Sequence, residues 1–146
     1  MDIEISDVGH MIQLAIAPVF LLTGVGTMLV VLTNRLARII DRTRVVEQRI
    51  DDAGNEPACL EELETLYRRS WLVNIAITSN TVCALLVCLV IAMLFLGDST
   101  NLPLDQYIAA CFVLAMIMLI ASFLYFLREV FIASRYLRAV QRKALR

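Results

Sequence analysis

Apolar positions along this chain fall into three long runs, not into stripes. Residues 11–34, 71–96 and 106–127 contain no ionised side chain. Each run exceeds the roughly 20 residues that a helix rising about 1.5 Å per residue needs to cross the hydrocarbon core of a bilayer. A helix of a water-soluble bundle keeps one polar face, and these runs have none. The pattern predicts an all-α, polytopic membrane fold with three transmembrane helices in one domain.

Outside the runs the pattern becomes periodic. Leu36, Ile39, Thr43, Val46 and Ile50 recur at alternating steps of three and four, with charges on the other faces. This is a coiled-coil seam, and it carries the first helix beyond the membrane. Asp51, Asp52, Gly54, Asn55 and Pro57 then form a cluster of turn formers. Pro57 suits the first turn of a new helix, and Glu61, Glu62 and Glu64 favour its positive end. Leu60, Leu63, Tyr67 and Ser70 continue a seam into the second run, where Glu64 and Arg68 stand four apart in the favourable order. The third helix is expected from Asp105 to near the C-terminus, with a weaker seam of Val130, Ala133, Leu137, Val140 and Ala144. The organisation read from the chain is an arm (1–10), a helical hairpin (35–70) between the first two spans, a short turn (97–105) and a terminal helix (128–146).

Charge orients this arrangement. All thirteen Lys and Arg residues lie in 35–70 or in 128–146. The arm and the short turn hold only acids: Asp2, Glu4, Asp7, Asp98 and Asp105. The positive-inside rule then puts the N-terminus outside and the hairpin and C-terminus in the cytoplasm. A net charge of −1 hides this gradient, and the 60% hydrophobic content and mean hydropathy of +0.75 fit a chain dissolved in lipid. Topology accounts for the basic inner segments, so no nucleic-acid partner is read from them. The first run reads as a retained anchor, because its leader is acidic and it is too long for a signal peptide's apolar region. Cys59, Cys83, Cys88 and Cys111 have no metal-ligand spacing, and none is in the outer turn where a disulfide would form. They read as small packing residues.

Specific motifs add a family. Ala17-Pro18-Val19-Phe20-Leu21-Leu22-Thr23-Gly24-Val25-Gly26 is followed by Thr33-Asn34-Arg35-Leu36 and Asp41-Arg42-Thr43-Arg44. Arg68-Arg69-Ser70-Trp71 leads into Asn74-Ile75-Ala76-Ile77-Thr78. In these runs the chain resembles domain-of-unknown-function family 2721, small bacterial integral membrane proteins. The resemblance implies this architecture and a bacterial inner (cytoplasmic) membrane. It implies no activity and no catalytic residue.

No catalytic constellation, metal set or phosphate loop is visible, so the chain is expected not to be an enzyme and to need no cofactor. His10, the single histidine, stands at the outer edge of the first span. Pro18 is expected to free the Leu14 carbonyl and bend the first span. Trp71, Arg68 and Arg69 read as an interfacial anchor. Glu129, at the inner exit of the third span, is expected to pair with an arginine of a neighbouring helix such as Arg35.

The informative groups are the polar ones inside the spans: Thr27 and Asn34 in the first, and Asn74, Thr78, Asn80 and Thr81 in the second. They admit two readings. Small and hydroxyl residues let membrane helices approach and hydrogen-bond, and Ala76, Asn80, Ala84, Cys88 and Ala92 make a ridge of step four. Alternatively, Asn74, Thr78 and Thr81 share one helix face and line a cytoplasm-facing vestibule, closed outside by a dry hydrophobic gate. The absence of an ionised residue in mid-membrane argues against a proton pump. The seam residues Leu36, Ile39, Val46, Ile50, Leu60 and Leu63 invite association. The functional expectation is a homo-oligomer in the lipid bilayer, an ion channel candidate. The alternative is an accessory subunit whose cytoplasmic helical stalk binds another protein.

Overall fold

The computed structural model describes the backbone of residues 3–53, 57–100 and 105–144, and the side chains of residues 9, 12–52, 57–97 and 105–135. Three helices make up the fold: α1 (Ile3–Ala53), α2 (Pro57–Thr100) and α3 (Asp105–Ala144). No strand occurs among the described residues. Each helix carries a segment long and apolar enough to cross a membrane, within Ile12–Asp52, Pro57–Gly97 and Asp105–Arg135.

The helix boundaries follow the punctuation of the sequence. α1 is described to Ala53, and α2 from Pro57, whose missing N–H is no loss in a first turn. At the other ends, residues 3–10 are helical and continuous with α1. Their early acids suit the positive end of a helix, so nothing there forces a break. α2 likewise continues through Gly97 to Thr100. The central residues of both turns, His10's side chain and the distal α3 seam at Leu137, Val140 and Ala144 lie outside what is described in side-chain detail.

A single periodicity organises the buried face of every helix. In α1 the buried residues Pro18, Val25, Leu32, Ile39 and Val46 come every seventh position. In α3 so do Ala115, Ser122 and Glu129. In α2 the buried residues Val73, Ala76, Asn80, Cys83, Val87 and Val90 alternate steps of three and four, with Leu72 buried beside them. This is the heptad spacing of helices packed knobs-into-holes. The seam read from Leu36 to Ile50 therefore extends through the apolar run, where hydropathy alone could not reveal it.

Two details of the α2 reading are corrected by this register. The step-four ridge leaves the core: Ala76 and Asn80 are buried, but Cys88 and Ala92 are exposed. A step of four turns a helix by about 40° beyond a full circle, so the ridge winds away from its partners. The α2 seam also runs through Leu66, 5% exposed, while Tyr67 is 55% exposed. Tyr67 uses its hydroxyl to donate to the Glu47 carboxylate at 2.8 Å.

By packing, the chain forms two compact units. One comprises Met1–Leu29 with Ser79–Ile120, the other Val30–Thr78 with Ala121–Arg146. The first is built around Val25, Cys83, Val87 and Ala115, with Leu21, Leu22, Met118 and Leu119 against them. Small side chains at these positions let helix backbones approach, which is the main source of adhesion between helices in lipid. Among the described residues all four cysteines are free.

Candidate functional site

The heptad register of α3 places an ionisable group in the core of the second unit. Two seven-residue steps beyond Ala115 stands Glu129, with no exposed surface. An isolated carboxylate there would lose several kcal/mol of hydration. Arg69 of α2 donates from Nε to its Oε1 at 2.9 Å. Arg35 of α1 brings Nε to 2.7 Å from Oε2. That second contact is a close charge pair and not an aligned hydrogen bond, since Oε2 has no donor in hydrogen-bonding geometry. The Arg35 guanidinium also lies over the Phe126 ring, 5.4 Å from its centroid, which adds a cation–π attraction. The two arginine side chains keep 33% and 19% of their surface. One carboxylate thus gathers an arginine from each of the other two helices.

The expected Arg35–Glu129 pair is therefore present. Arg69 is different: it read as an interfacial anchor, and it turns inward to the carboxylate instead. A signal for this exists in the sequence. Leu66, Arg69, Val73, Ala76 and Asn80 continue the alternation of three and four, so Arg69 stands on the buried face of α2. Arg68 and Trp71 remain exposed, the latter at 58%. Beside the clamp is a cavity of about 510 Å³, lined by Asn34, Arg35, Arg38, Arg42 and Arg69 among others. Arg42 is held there by Glu62, with Nη2 at 2.7 Å and Nε at 2.8 Å from Oε1.

The polar residues of the spans divide into two sets. Asn80 and Ser122 are buried. Asn80 Nδ2 donates to the Val25 carbonyl at 2.8 Å, and Ser122 Oγ to the Ala76 carbonyl at 2.8 Å. These are helix-to-helix bonds, although Asn80 Oδ1 is buried without a partner. Thr27, Asn34, Asn74, Thr78 and Thr81 are exposed. Thr27 and Thr78 donate to carbonyls one turn back in their own helices, at 3.0 and 2.9 Å. Such bonds satisfy the hydroxyl proton without joining elements. A Cβ built on Gly24 or Gly26 would meet nothing within 4 Å, so these two positions of α1 also face outward.

The interface seam is largely occupied by the chain itself. Ile39 and Val46 are buried at 3% and 0% exposure, Leu36, Ile50 and Leu63 are half-buried, and Leu60 is 45% exposed. Among the described residues no group of His, Cys, Asp and Glu could hold a metal ion.

Residues 15–139 match the model of a protein family described as "Protein of unknown function (DUF2721)". No curated protein and no solved structure matches the chain.

Proposed function

The chain belongs to this family of proteins of unknown function, DUF2721, and from that premise we propose that it is a homo-oligomeric membrane protein whose copies enclose a channel-like pore for small ions. One observation carries the reading. Asn74, Thr78 and Thr81 are all exposed on one face of α2, whereas Asn80 of the same helix is buried. The Thr78 hydroxyl is bonded within α2, but an amide such as that of Asn74 facing hydrocarbon is unfavourable, and a neighbouring copy or a column of water relieves it.

In this reading the positive-inside rule sets the N-terminus outside, so the polar face opens to the cytoplasm. The apolar stretch 85–96 of α2 serves as the hydrophobic gate. The lining carries no charge, so it passes ions by size and hydration without coupling to a proton. No catalytic role is assigned.

The accessory-subunit alternative has a narrower footing. Its stalk would have used Ile39 and Val46, which are covered within the chain. A protein partner would instead meet exposed residues such as Ile40, Val45 and Leu60.

Thr78→Trp, reconstituted in planar bilayers, is expected to abolish conductance while light scattering reports the same oligomer as the unsubstituted protein. A monomeric particle, or a conductance untouched by the tryptophan, overturns the pore.

A further inference from the structure

A second cleft differs in character from the one beside Glu129. Arg68 of α2 and Leu124, Leu127, Arg128, Phe131 and Arg135 of α3 line a cavity of about 580 Å³. Leu124, Arg128, Phe131 and Arg135 follow steps of four, three and four, so they form one outward stripe of α3. The apolar members are exposed: Leu124 at 61%, Leu127 at 50% and Phe131 at 59%.

The charge balance separates the two clefts. Beside Glu129, Arg35, Arg69 and Arg42 are already committed to carboxylates. In the second cleft no acid lines the cavity, and Arg68, Arg128 and Arg135 make no ion pair among the described residues. Three guanidiniums that pair with no described acid adjoin an apolar wall. Along the sequence Arg68 and Arg128 stand where the second span begins and the third ends, the depth of lipid headgroups, and Arg135 follows about two turns further along α3.

We propose that this cleft binds one anionic phospholipid, its headgroup phosphate held by Arg68, Arg128 and Arg135 and an acyl chain laid along Leu124, Leu127 and Phe131. Guanidinium is suited to phosphate because its planar N–H fork meets two oxygens at once. An aliphatic and aromatic wall directly adjoining those donors matches a ligand that is phosphate at one end and hydrocarbon at the other. A free phosphate ion would leave the wall unused, and an uncharged lipid would leave the arginines unpaired. The inference is independent of the pore.

The test is a lipid titration of the full-length protein in neutral detergent, read by native mass spectrometry. Phosphatidylglycerol is expected to bind about a hundredfold more tightly than phosphatidylcholine of the same chains, since each of the three basic residues near a membrane surface contributes about 1 kcal/mol with anionic lipid. The triple variant R68Q/R128Q/R135Q should fall to the phosphatidylcholine level, and Arg38→Gln, an exposed arginine of the other cleft, should change nothing. Equal binding of the two lipids to the unsubstituted protein overturns the site, and that comparison needs no variant to fold. An equal loss in Arg38→Gln also overturns it, by assigning the preference to diffuse surface charge. Displacement of phosphatidylglycerol by equimolar inorganic phosphate overturns the lipid as occupant.

Discussion

The two packing units use the same three helices and the same heptad register, but they fill it differently. In the unit of residues 1–29 and 79–120, the core positions hold Val25, Cys83, Val87 and Ala115, and one amide, Asn80, joins α2 to α1. In the unit of residues 30–78 and 121–146, the register holds Leu32, Ile39 and Val46 but also a carboxylate, clamped by two arginines. Lipid tails are as apolar as leucine, so burying more leucine in a wholly membrane-embedded core gains little, and close contact of small residues is what remains. Near an aqueous boundary the hydration lost by a charge is smaller, and ionic contacts become affordable there. The register is the constant, and the solvent outside decides which side chains occupy it.

That contrast can be broken from either side. The largest effect is expected at Glu129. Glu129→Ala leaves Arg35 and Arg69 facing each other without a carboxylate, a class of change that costs about 3–5 kcal/mol. Denaturant titration of the detergent-solubilised protein should report it, with Glu129→Gln losing less because an amide oxygen still accepts from Arg69. A loss under about 1 kcal/mol in the alanine variant would mean that the clamp is not what holds this unit.

Overfilling the other unit should come next. Ala115 has no exposed surface, and Ala115→Leu inserts three carbons where the helices are close. The expected loss is about 1–3 kcal/mol, with no change in oligomer size. A neutral result would show that small residues are not required there.

The smallest effect sharpens the comparison. Asn80→Ala removes the single amide bond of the first unit, for which about 0.6 kcal/mol is expected. The net effect is modest because the same substitution also removes the buried, unpartnered Oδ1. A loss above about 2 kcal/mol would make the first unit depend on polar contacts after all.

Much of this arrangement is legible in the sequence, and the failures have physical causes. Absence of charge marks the three spans, and turn formers mark the break near Pro57. The Arg35–Glu129 pair follows from a lone carboxylate at the end of a span. Within an apolar run, however, hydropathy cannot tell a core-facing side chain from one facing lipid. The inward turn of Asn80 and the outward turn of Asn74, Thr78 and Thr81 become visible only once α2's register is known. The ridge of step four failed for the related reason that a helix of 3.6 residues per turn does not hold a step of four on one face. Arg69 was misread because a basic residue beside Trp71 fits the anchor pattern equally well. Its heptad position distinguishes the two, and that position is apparent only when Leu66 replaces Tyr67 in the seam.

The clamp also has a consequence for how the protein is made. Arg35 and Arg69 leave the ribosome well before Glu129, because their helices precede α3 in the chain. Until the third helix has entered the membrane, this site holds two guanidiniums and no carboxylate. Its completion therefore waits for the third helix. A chain arrested before residue 129 carries both guanidiniums of this site without the carboxylate that pairs them.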